Sequence, residues 1–364
     1  MGRSAIPATI DLVTPDWLTS VLRESGTIPA SVSVVSATAR QVGVGVGIMG
    51  TIHKVALSYS SAVAGAPESV VVKQAATAEA NREQGVQLGL YVAEVRFYRE
   101  LASKTTLRVP RCYHADLDED MNFVIVMEDL SDLENLDQIT GMTPEQIRHA
   151  VLSLADLHGP YFGRVADLEW VPSVVHPRIE GFASVYPMLW DVVKQRFAAV
   201  LDADRLAVGD AIAANYLSVM KRLGERPWTL LHMDFRCDNF LFDRSTPSSP
   251  IVTLDWQSLG RGPGVYDLAY LLGGSITLAD RRRLEDSLLH VYHERLVSHG
   301  VTNYPYAELV QDYRLASLVG PGSAVLVGGG LDMGNERGVA LITSMVERHV
   351  GLAADLKAIE LIGV

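Results

Sequence analysis

His232-Met-Asp-Phe-Arg-Cys-Asp-Asn-Phe-Leu-Phe242, followed after a turn-rich connection by Val252-Thr-Leu-Asp-Trp-Gln257, holds more chemical information than any other part of this sequence. Asp234 opens a loop between apolar runs, Asn239 follows five residues later, and Asp255 ends the next apolar run. Carboxylates bordered by Phe, Leu, Ile and Val are costly to desolvate unless they have work to do. Phosphoryl transfer needs this set of groups: a carboxylate to orient and deprotonate the attacking hydroxyl, and oxygen donors to hold Mg²⁺ against the phosphates. The spacing D-x-x-x-x-N recurs by chance in many proteins. Framed by His232, by two apolar strands and by a second aspartate, it predicts a catalytic loop with Asp234 as its base and a metal site using Asn239 and Asp255.

Two upstream segments extend the pattern. Ser69-Val-Val-Val-Lys73 is a short β-branched strand that ends on a lysine. Taken alone, Lys73 reads as a charge that guards a sheet edge. Glu94 shifts that balance, because it shares the apolar stripe Leu90, Glu94, Phe97, Tyr98 and Leu101 of a predicted helix, where an unpaired carboxylate would be expensive. A strand lysine on the α/β-phosphates, held by a helix glutamate, answers both oddities, and neither Glu83 nor Glu100 lies on that stripe. Gly45-Val-Gly-Ile-Met-Gly50 fits G-x-G-x-x-G, which two unrelated phosphate-binding designs share. A dinucleotide fold would begin a helix directly after the glycines. Here Thr51-Ile-His-Lys-Val-Ala-Leu57 is strand-like, so a glycine-rich hairpin over nucleotide phosphates fits better, with a plain turn as the alternative.

The chain has 364 residues, with 31 Lys+Arg against 43 Asp+Glu, a net charge of −12. Such a length predicts two domains or lobes. Residues 33–59 and 69–73 read as antiparallel strands, 88–101 as a helix and Phe123-Val-Ile-Val-Met127 as a further strand. Helices follow, one of them opened by the capping box Thr143-Pro-Glu-Gln146. The acidic balance, with no dense basic run, disfavours a protein that neutralises nucleic-acid phosphates. Cys112 and Cys237 are too few for a disulfide framework or a structural zinc site. Residues 1–20 lack the apolar run of a signal peptide, and the apolar stretch 315–331 is punctuated by Gly and Pro, so a cytoplasmic protein without a membrane span is expected.

The chain resembles the small-molecule kinases of the aminoglycoside phosphotransferase and choline kinase superfamily, and especially their ecdysteroid kinase-like branch. The resemblance runs from about residue 40 to at least 350 and rests on four segments. These are the H-x-D-x-x-x-x-N loop (His232, Asp234, Asn239), Asp255-Trp-Gln257 where protein kinases have D-F-G, Gly262-Pro-Gly-Val-Tyr-Asp-Leu-Ala-Tyr-Leu-Leu272, and Leu154-Ala-Asp-Leu-His158 in the helix before the loop. It implies an α+β, bilobal protein-kinase-like fold. Residues 1–130 would form an N-terminal nucleotide-binding lobe of antiparallel sheet ending in a hinge, and residues 131–364 a larger, mostly helical catalytic and substrate-binding lobe. By the same resemblance ATP and Mg²⁺ are the cofactors and Asp234 is the catalytic base. Asn239 and Asp255 bind metal, while Gly45, Gly47, Gly50, Lys73 and Glu94 serve the nucleotide, with main-chain groups near Glu128 and Leu130 on the adenine. Met233 departs from the pattern, since many relatives have Gly there.

The expected reaction is transfer of the γ-phosphoryl group to a hydroxyl of a small organic alcohol, hydrophobic or steroid-like because Phe182, Tyr186, Trp190, Tyr304 and Tyr306 dominate the helical lobe without a dense acidic cluster. An aminoglycoside or other antibiotic is the alternative acceptor, and a regulatory nucleotide-binding pseudokinase the alternative of another class. A protein kinase is disfavoured, because the few residues after Asp255 leave no room for an activation segment. No nucleic-acid or membrane partner is expected. His158, His232 and Asp267 read as scaffold, Arg281-Arg-Arg283 as a solvated face, and Trp190 and Trp228 as packing, with Trp256 left as a candidate for the acceptor site.

Overall fold

The computed structural model describes residues 6–42, 49–330 and 336–362. It has the α+β, protein-kinase-like fold and divides into two compact units. One comprises Met1–Lys104, Val109–Leu133 and Leu254–Ser258, the other Thr105–Arg108, Glu134–Thr253 and Leu259–Val364. The excursion Leu254–Ser258 matters for chemistry, since it carries Asp255 into the first unit.

The first unit begins with α1 (Pro15–Glu24), capped by Thr14, whose hydroxyl accepts from Trp17 N, with proline in its first turn. Strands β1 (Val34–Val42), β2 (Gly50–Tyr59) and β3 (Ser69–Ala75) follow, then α2 (Glu79–Gln87), α3 (Leu90–Arg96), β4 (Cys112–Leu117) and β5 (Phe123–Glu128). The strands form one antiparallel sheet in the order β1-β2-β3-β5-β4. Val55, Val70, Val72, Val124 and Val126 of this sheet pack against Leu18, Val21 and Leu22 of α1, which makes the first core. The sequence pattern leads to β1, β2, β3, α3 and β5 but misses α1, α2 and β4. Cys112-Tyr-His-Ala-Asp-Leu117 has no clean alternation, and its pairing with β5 supplies what its own residues do not.

Past α3 the chain makes a π-helical turn, Phe97–Leu101, and Glu94, Phe97, Tyr98 and Leu101 are all buried. Phe97 stacks flat on Trp256, with centroids 3.6 Å apart and planes 6° apart. Trp256 is therefore a fully buried packing residue beside Asp255, which corrects the expectation that it borders an acceptor.

The second unit opens with β6 (Glu134–Asn135) and α4 (Pro144–Tyr161), whose Thr143/Gln146 capping box is closed in both directions. Then come α5 (Arg178–Arg196), α6 (Ala203–Leu223), β7 (Trp228–Leu231), β8 (Phe240–Phe242), β9 (Ile251–Thr253) and β10 (Gly260–Pro263). The chain ends with α7 (Val265–Gly274), α8 (Leu278–Ser298), α9 (Tyr306–Ala316), α10 (Gly320–Gly330) and α11 (Glu336–Asp355). β8 pairs with β6 and β9, and β7 with β10, so two small ribbons flank the segment that holds Asp234 and Asn239. Helix α7 is buried along its whole length, which explains why its sequence lacks a polar face.

Arg282 and Arg283 are exposed, as expected of a solvated face, but Arg281 is not. Arg281 is buried and ion-paired with Glu285 and Asp355, while Arg282 reaches the same Asp355, so the run ties α8 to α11. Among the described residues no helix is long and apolar enough to cross a membrane.

Candidate active site

In the first unit, β3 and α3 bring together two residues that lie 21 apart in sequence: Lys73 Nζ donates to Glu94 Oε1 at 2.8 Å. The same ammonium donates to Asp255 Oδ1 at 3.0 Å. Burial alone would push the Lys73 ammonium down, but the charges of Asp255 and Glu94 outweigh it and hold its pKa above the ordinary lysine value. Burial lifts the Glu94 carboxyl to about 6 against the opposing pull of Lys73. Asp255 is the exposed member, with 41% of its side chain open to solvent, so one carboxylate is buried to fix the lysine and the other is presented outward. Its backbone lies in the left-handed region, φ 62°, which an L-residue adopts at a cost and which recurs at functional positions. Gly50 pairs with Ala75 at the end of this cluster, where a Cβ would come within 3.0 Å of the Gln74 carbonyl and 3.7 Å of Lys73 Cε. Gly45 and Gly47 lie outside the described residues.

The expected hinge residues lie at the end of β5 and just past it. Glu128 exchanges two bonds with Arg111, through N–H to the Arg111 carbonyl and through Oε2 from the Arg111 N–H. Leu130 accepts from Leu133 N. Between them Asp129, which the motif reading passed over, accepts from Lys54 Nζ, Ser69 Oγ and Ser131 N. Burial would raise its carboxyl, but these donors hold it down at about 2.

In the second unit, the Asp234 carboxylate sits in a dense set of donors. Arg236 Nε (3.0 Å) and Tyr270 Oη (3.1 Å) donate to Oδ1, and Asn239 Nδ2 (2.8 Å) donates to Oδ2. Asn239 Nδ2 also reaches the Asp234 carbonyl at 2.8 Å. Both bonds orient the amide so that its nitrogen faces Asp234 and its oxygen is not spent on the carboxylate, which fits a neutral oxygen donor to a hard cation. Among the described residues no cluster of three or more His, Cys, Asp or Glu side chains could hold a metal alone.

The loop itself is hung from α7. Asp267 accepts from the backbone N–H groups of His232 (2.7 Å) and Met233 (2.9 Å), and it meets His158 Nε2 at 3.3 Å. His158 Nδ1 bonds Tyr292 Oη at 2.7 Å, so His158, His232 and Asp267 are all fully buried scaffold. Met233 has φ 64°, the left-handed backbone that glycine adopts without penalty, so the departure from glycine keeps the loop's shape at a conformational cost. Its side chain fills the space that a Cβ on Gly260 would need. Cys237 is buried and its thiol is pushed up to about 12, the opposite of the shift that activates a thiolate. Arg236 and Tyr270 were missed by motif reading. The signal for Arg236 was its place inside the loop, and for Tyr270 a lone hydroxyl in the apolar run Leu268-Ala-Tyr-Leu-Leu272.

A pH dependence follows from Glu94. As pH falls through about 6 the carboxyl takes up a proton, Lys73 loses its buried counter-charge, and the KM for MgATP is expected to rise. Phosphates also take up a proton at about pH 6, so the measurement is the ratio of wild type to Glu94→Gln across pH 5 to 8. The ratio should change through about pH 6 and be flat above about pH 7.

The ecdysteroid kinase-like family model matches residues 45–301, a span that includes Lys73, Glu94, Asp234, Asn239 and Asp255. No curated protein matches the chain. Among solved structures, the GDP complex of aminoglycoside 2′-phosphotransferase-IIIa is similar at 15% identity over 92% of this chain and 97% of its own, with a TM-score of 0.51. A provisionally named aminoglycoside phosphotransferase from Ralstonia eutropha JMP134 is similar at 14% identity over 93% and 97%, TM-score 0.50. An ethanolamine kinase from Plasmodium vivax shares 12% identity over 94% and 91%, TM-score 0.47. At these identities the first two likenesses bear on the fold, and the family match bears on the chemistry. The chain therefore belongs to the ecdysteroid kinase-like family, phosphotransferases that act on an alcohol group of a small molecule.

Proposed function

We propose that the protein transfers the γ-phosphoryl group of ATP, with Mg²⁺, to a hydroxyl of a small, largely apolar alcohol. Asp234 orients the hydroxyl and accepts its proton. Lys73, held by Glu94, engages the α/β-phosphates; Gly45, Gly47 and Gly50 cover the phosphates, and main-chain groups near Glu128 and Leu130 hold the adenine. Asn239 and Asp255 would hold Mg²⁺, which neutralises charge on the phosphates when bound. The protein's share of catalysis is then positioning and preorganised charge.

The observation that carries this assignment is Lys73 Nζ lying between Glu94 and Asp255. A buried ion pair is a weak device for stability, so three charges brought together from β3, α3 and the Leu254–Ser258 excursion call for a ligand. For the acceptor, support comes from the second unit. Phe182, partly open, lies edge-on to the buried rings of Tyr186 and Tyr216, which stack on each other at 5.3 Å and back it with an apolar wall. Gly322 of α10 leaves room for Tyr216, whose ring a Cβ would meet at 2.9 Å. Burial holds the Tyr266 phenol far above its ordinary value, so this ring also stays uncharged. The other aromatics expected there serve packing: Trp190 donates to Asp210 and Tyr304 to Asp312. Asp191 and Asp210 are engaged by Lys194, which weakens the case for a polycationic aminoglycoside.

The test is Mg²⁺-dependent ADP release scored over a panel that contains apolar ring alcohols, amino alcohols and aminoglycosides. Turnover with ring alcohols is expected. Turnover confined to aminoglycosides would overturn the acceptor class, and MgATP binding without turnover on any alcohol would favour a pseudokinase.

A further inference from the structure

Asp234 is gripped asymmetrically. Oδ1 accepts from Arg236 Nε at 3.0 Å and from Tyr270 Oη at 3.1 Å, whereas Oδ2 accepts from Asn239 Nδ2 at 2.8 Å. A carboxylate oxygen offers about two lone-pair sites. Among the described residues, Oδ1 is thus filled and Oδ2 keeps one site. Both donors to Oδ1 are themselves immobilised. The Arg236 guanidinium donates through Nη1 to Gln138 Oε1 at 2.6 Å and to Asp238 Oδ2 at 3.0 Å, and Asp238 Oδ1 accepts from Gln138 N at 2.9 Å. Burial and the Asp234 charge hold the Tyr270 phenol far above its ordinary value, so it stays a donor.

The support continues into α11, beyond the segment matched to the family. Arg348 donates to the carbonyls of Gln138 at 2.6 Å and Ile139 at 2.7 Å, which fixes the residue that grips Arg236. The next residue, His349, stacks on the Tyr270 ring with centroids 5.1 Å apart and planes at 25°. Gly273 and Gly274 make room for that imidazole, since Cβ atoms there would lie 2.7 and 2.9 Å from its nitrogens. Burial pushes the His349 pKa down to about 3, so the ring is an uncharged plate. Two adjacent residues of one helix therefore steady the two donors that meet on one oxygen.

We propose that Arg236 and Tyr270 are positioning residues that fill Oδ1 of Asp234 and assign proton uptake to Oδ2, an inference that rests on the phosphotransfer reading above. In the step itself the acceptor's O–H bond breaks as its oxygen bonds to Pγ, and the proton passes to Oδ2. The bond from Pγ to the bridging oxygen of ADP breaks, and ADP leaves with that electron pair. With Oδ1 filled, rotation of the carboxylate would forfeit two hydrogen bonds, so the basic lone pair keeps one direction through turnover.

Tyr270→Phe tests this because it deletes only Oη and retains the ring on His349. Measured as Mg²⁺-dependent ADP release with the acceptor found by the panel, its kcat is expected to fall about 10- to 100-fold. KM for MgATP should stay within about twofold, because uniform binding is untouched. Arg236→Ala should lose more, and added guanidinium ion should restore part of the loss in a folded variant. Tyr270→Phe with a kcat within about twofold of wild type would overturn the inference, as would a loss of kcat matched by a rise in KM or explained by a fall in melting temperature. Folded Arg236→Ala that guanidinium does not rescue would remove Arg236 from the pair. A wild-type protein that releases no ADP with any acceptor would instead overturn the phosphotransfer reading, and this inference with it.

Discussion

Asp234→Asn is expected to lower kcat about 10³-fold, equivalent to roughly 4 kcal/mol of transition-state stabilisation, while the Kd for MgATP stays within about threefold. The amide cannot take the hydroxyl's proton, which removes the base. It also disturbs its surroundings, since Arg236, Tyr270 and Asn239 all offer donors to the carboxylate. If the amide oxygen takes the place of Oδ1, its NH₂ faces Asn239 Nδ2, donor against donor. Asn239 cannot simply turn round, because Nδ2 also serves the Asp234 carbonyl. Nucleotide affinity survives because Lys73, Glu94 and Asp255 belong to the other unit. Single-turnover ADP formation together with calorimetric MgATP binding separates the two effects, and a variant with normal turnover would remove Asp234 from the role of base.

Lys73→Ala is expected to behave differently, with kcat/KM down about 10²- to 10³-fold and MgATP affinity weakened by at least about tenfold. Its ammonium is the only cation bonded to both Glu94 and Asp255 in the described contacts, and its loss leaves Glu94 buried without its partner. Breaking such a pair costs about 3–5 kcal/mol when the remaining charge must persist. Glu94, already lifted to about 6 by burial, can escape by taking up a proton. A carboxyl with a raised folded-state pKa adds stability at low pH that is lost as pH rises. The variant should therefore come closest to wild-type stability below about pH 6 and fall furthest behind it above pH 7, as urea midpoints at pH 5 and pH 8 would show. Equal loss of stability at both pH values would mean that Lys73 and Glu94 are not energetically coupled.

These effects also mark how much was legible in the residues alone. Asp234, Asn239, Asp255, Lys73 and Glu94 could be singled out because each is a polar group in an apolar run, and desolvation makes such a placement expensive wherever it occurs. The Thr143 capping box was legible because its four residues satisfy each other's backbone groups within one turn. Helix α1, by contrast, is short and needs the sheet beneath it, and β4 becomes a strand through its pairing with β5. The Arg281 run shows the same limit: three consecutive arginines look solvated until Asp355, 74 residues away, is brought against the first of them.

What was written in the chain, then, is the inventory of polar groups: Asp234, Asn239 and Asp255, and Lys73 with Glu94, each visible from its nearest neighbours. Tertiary folding supplied their geometry. It placed Lys73 between two carboxylates, carried Leu254–Ser258 into the first unit, and put Arg236 and Tyr270, backed by Arg348 and His349 of α11, on one oxygen of Asp234. The physical reason is range. Propensity, capping and burial cost act over a few residues and leave a local trace, whereas a hydrogen bond between Asp234 and Tyr270, 36 residues apart, leaves none until packing closes the loop between them.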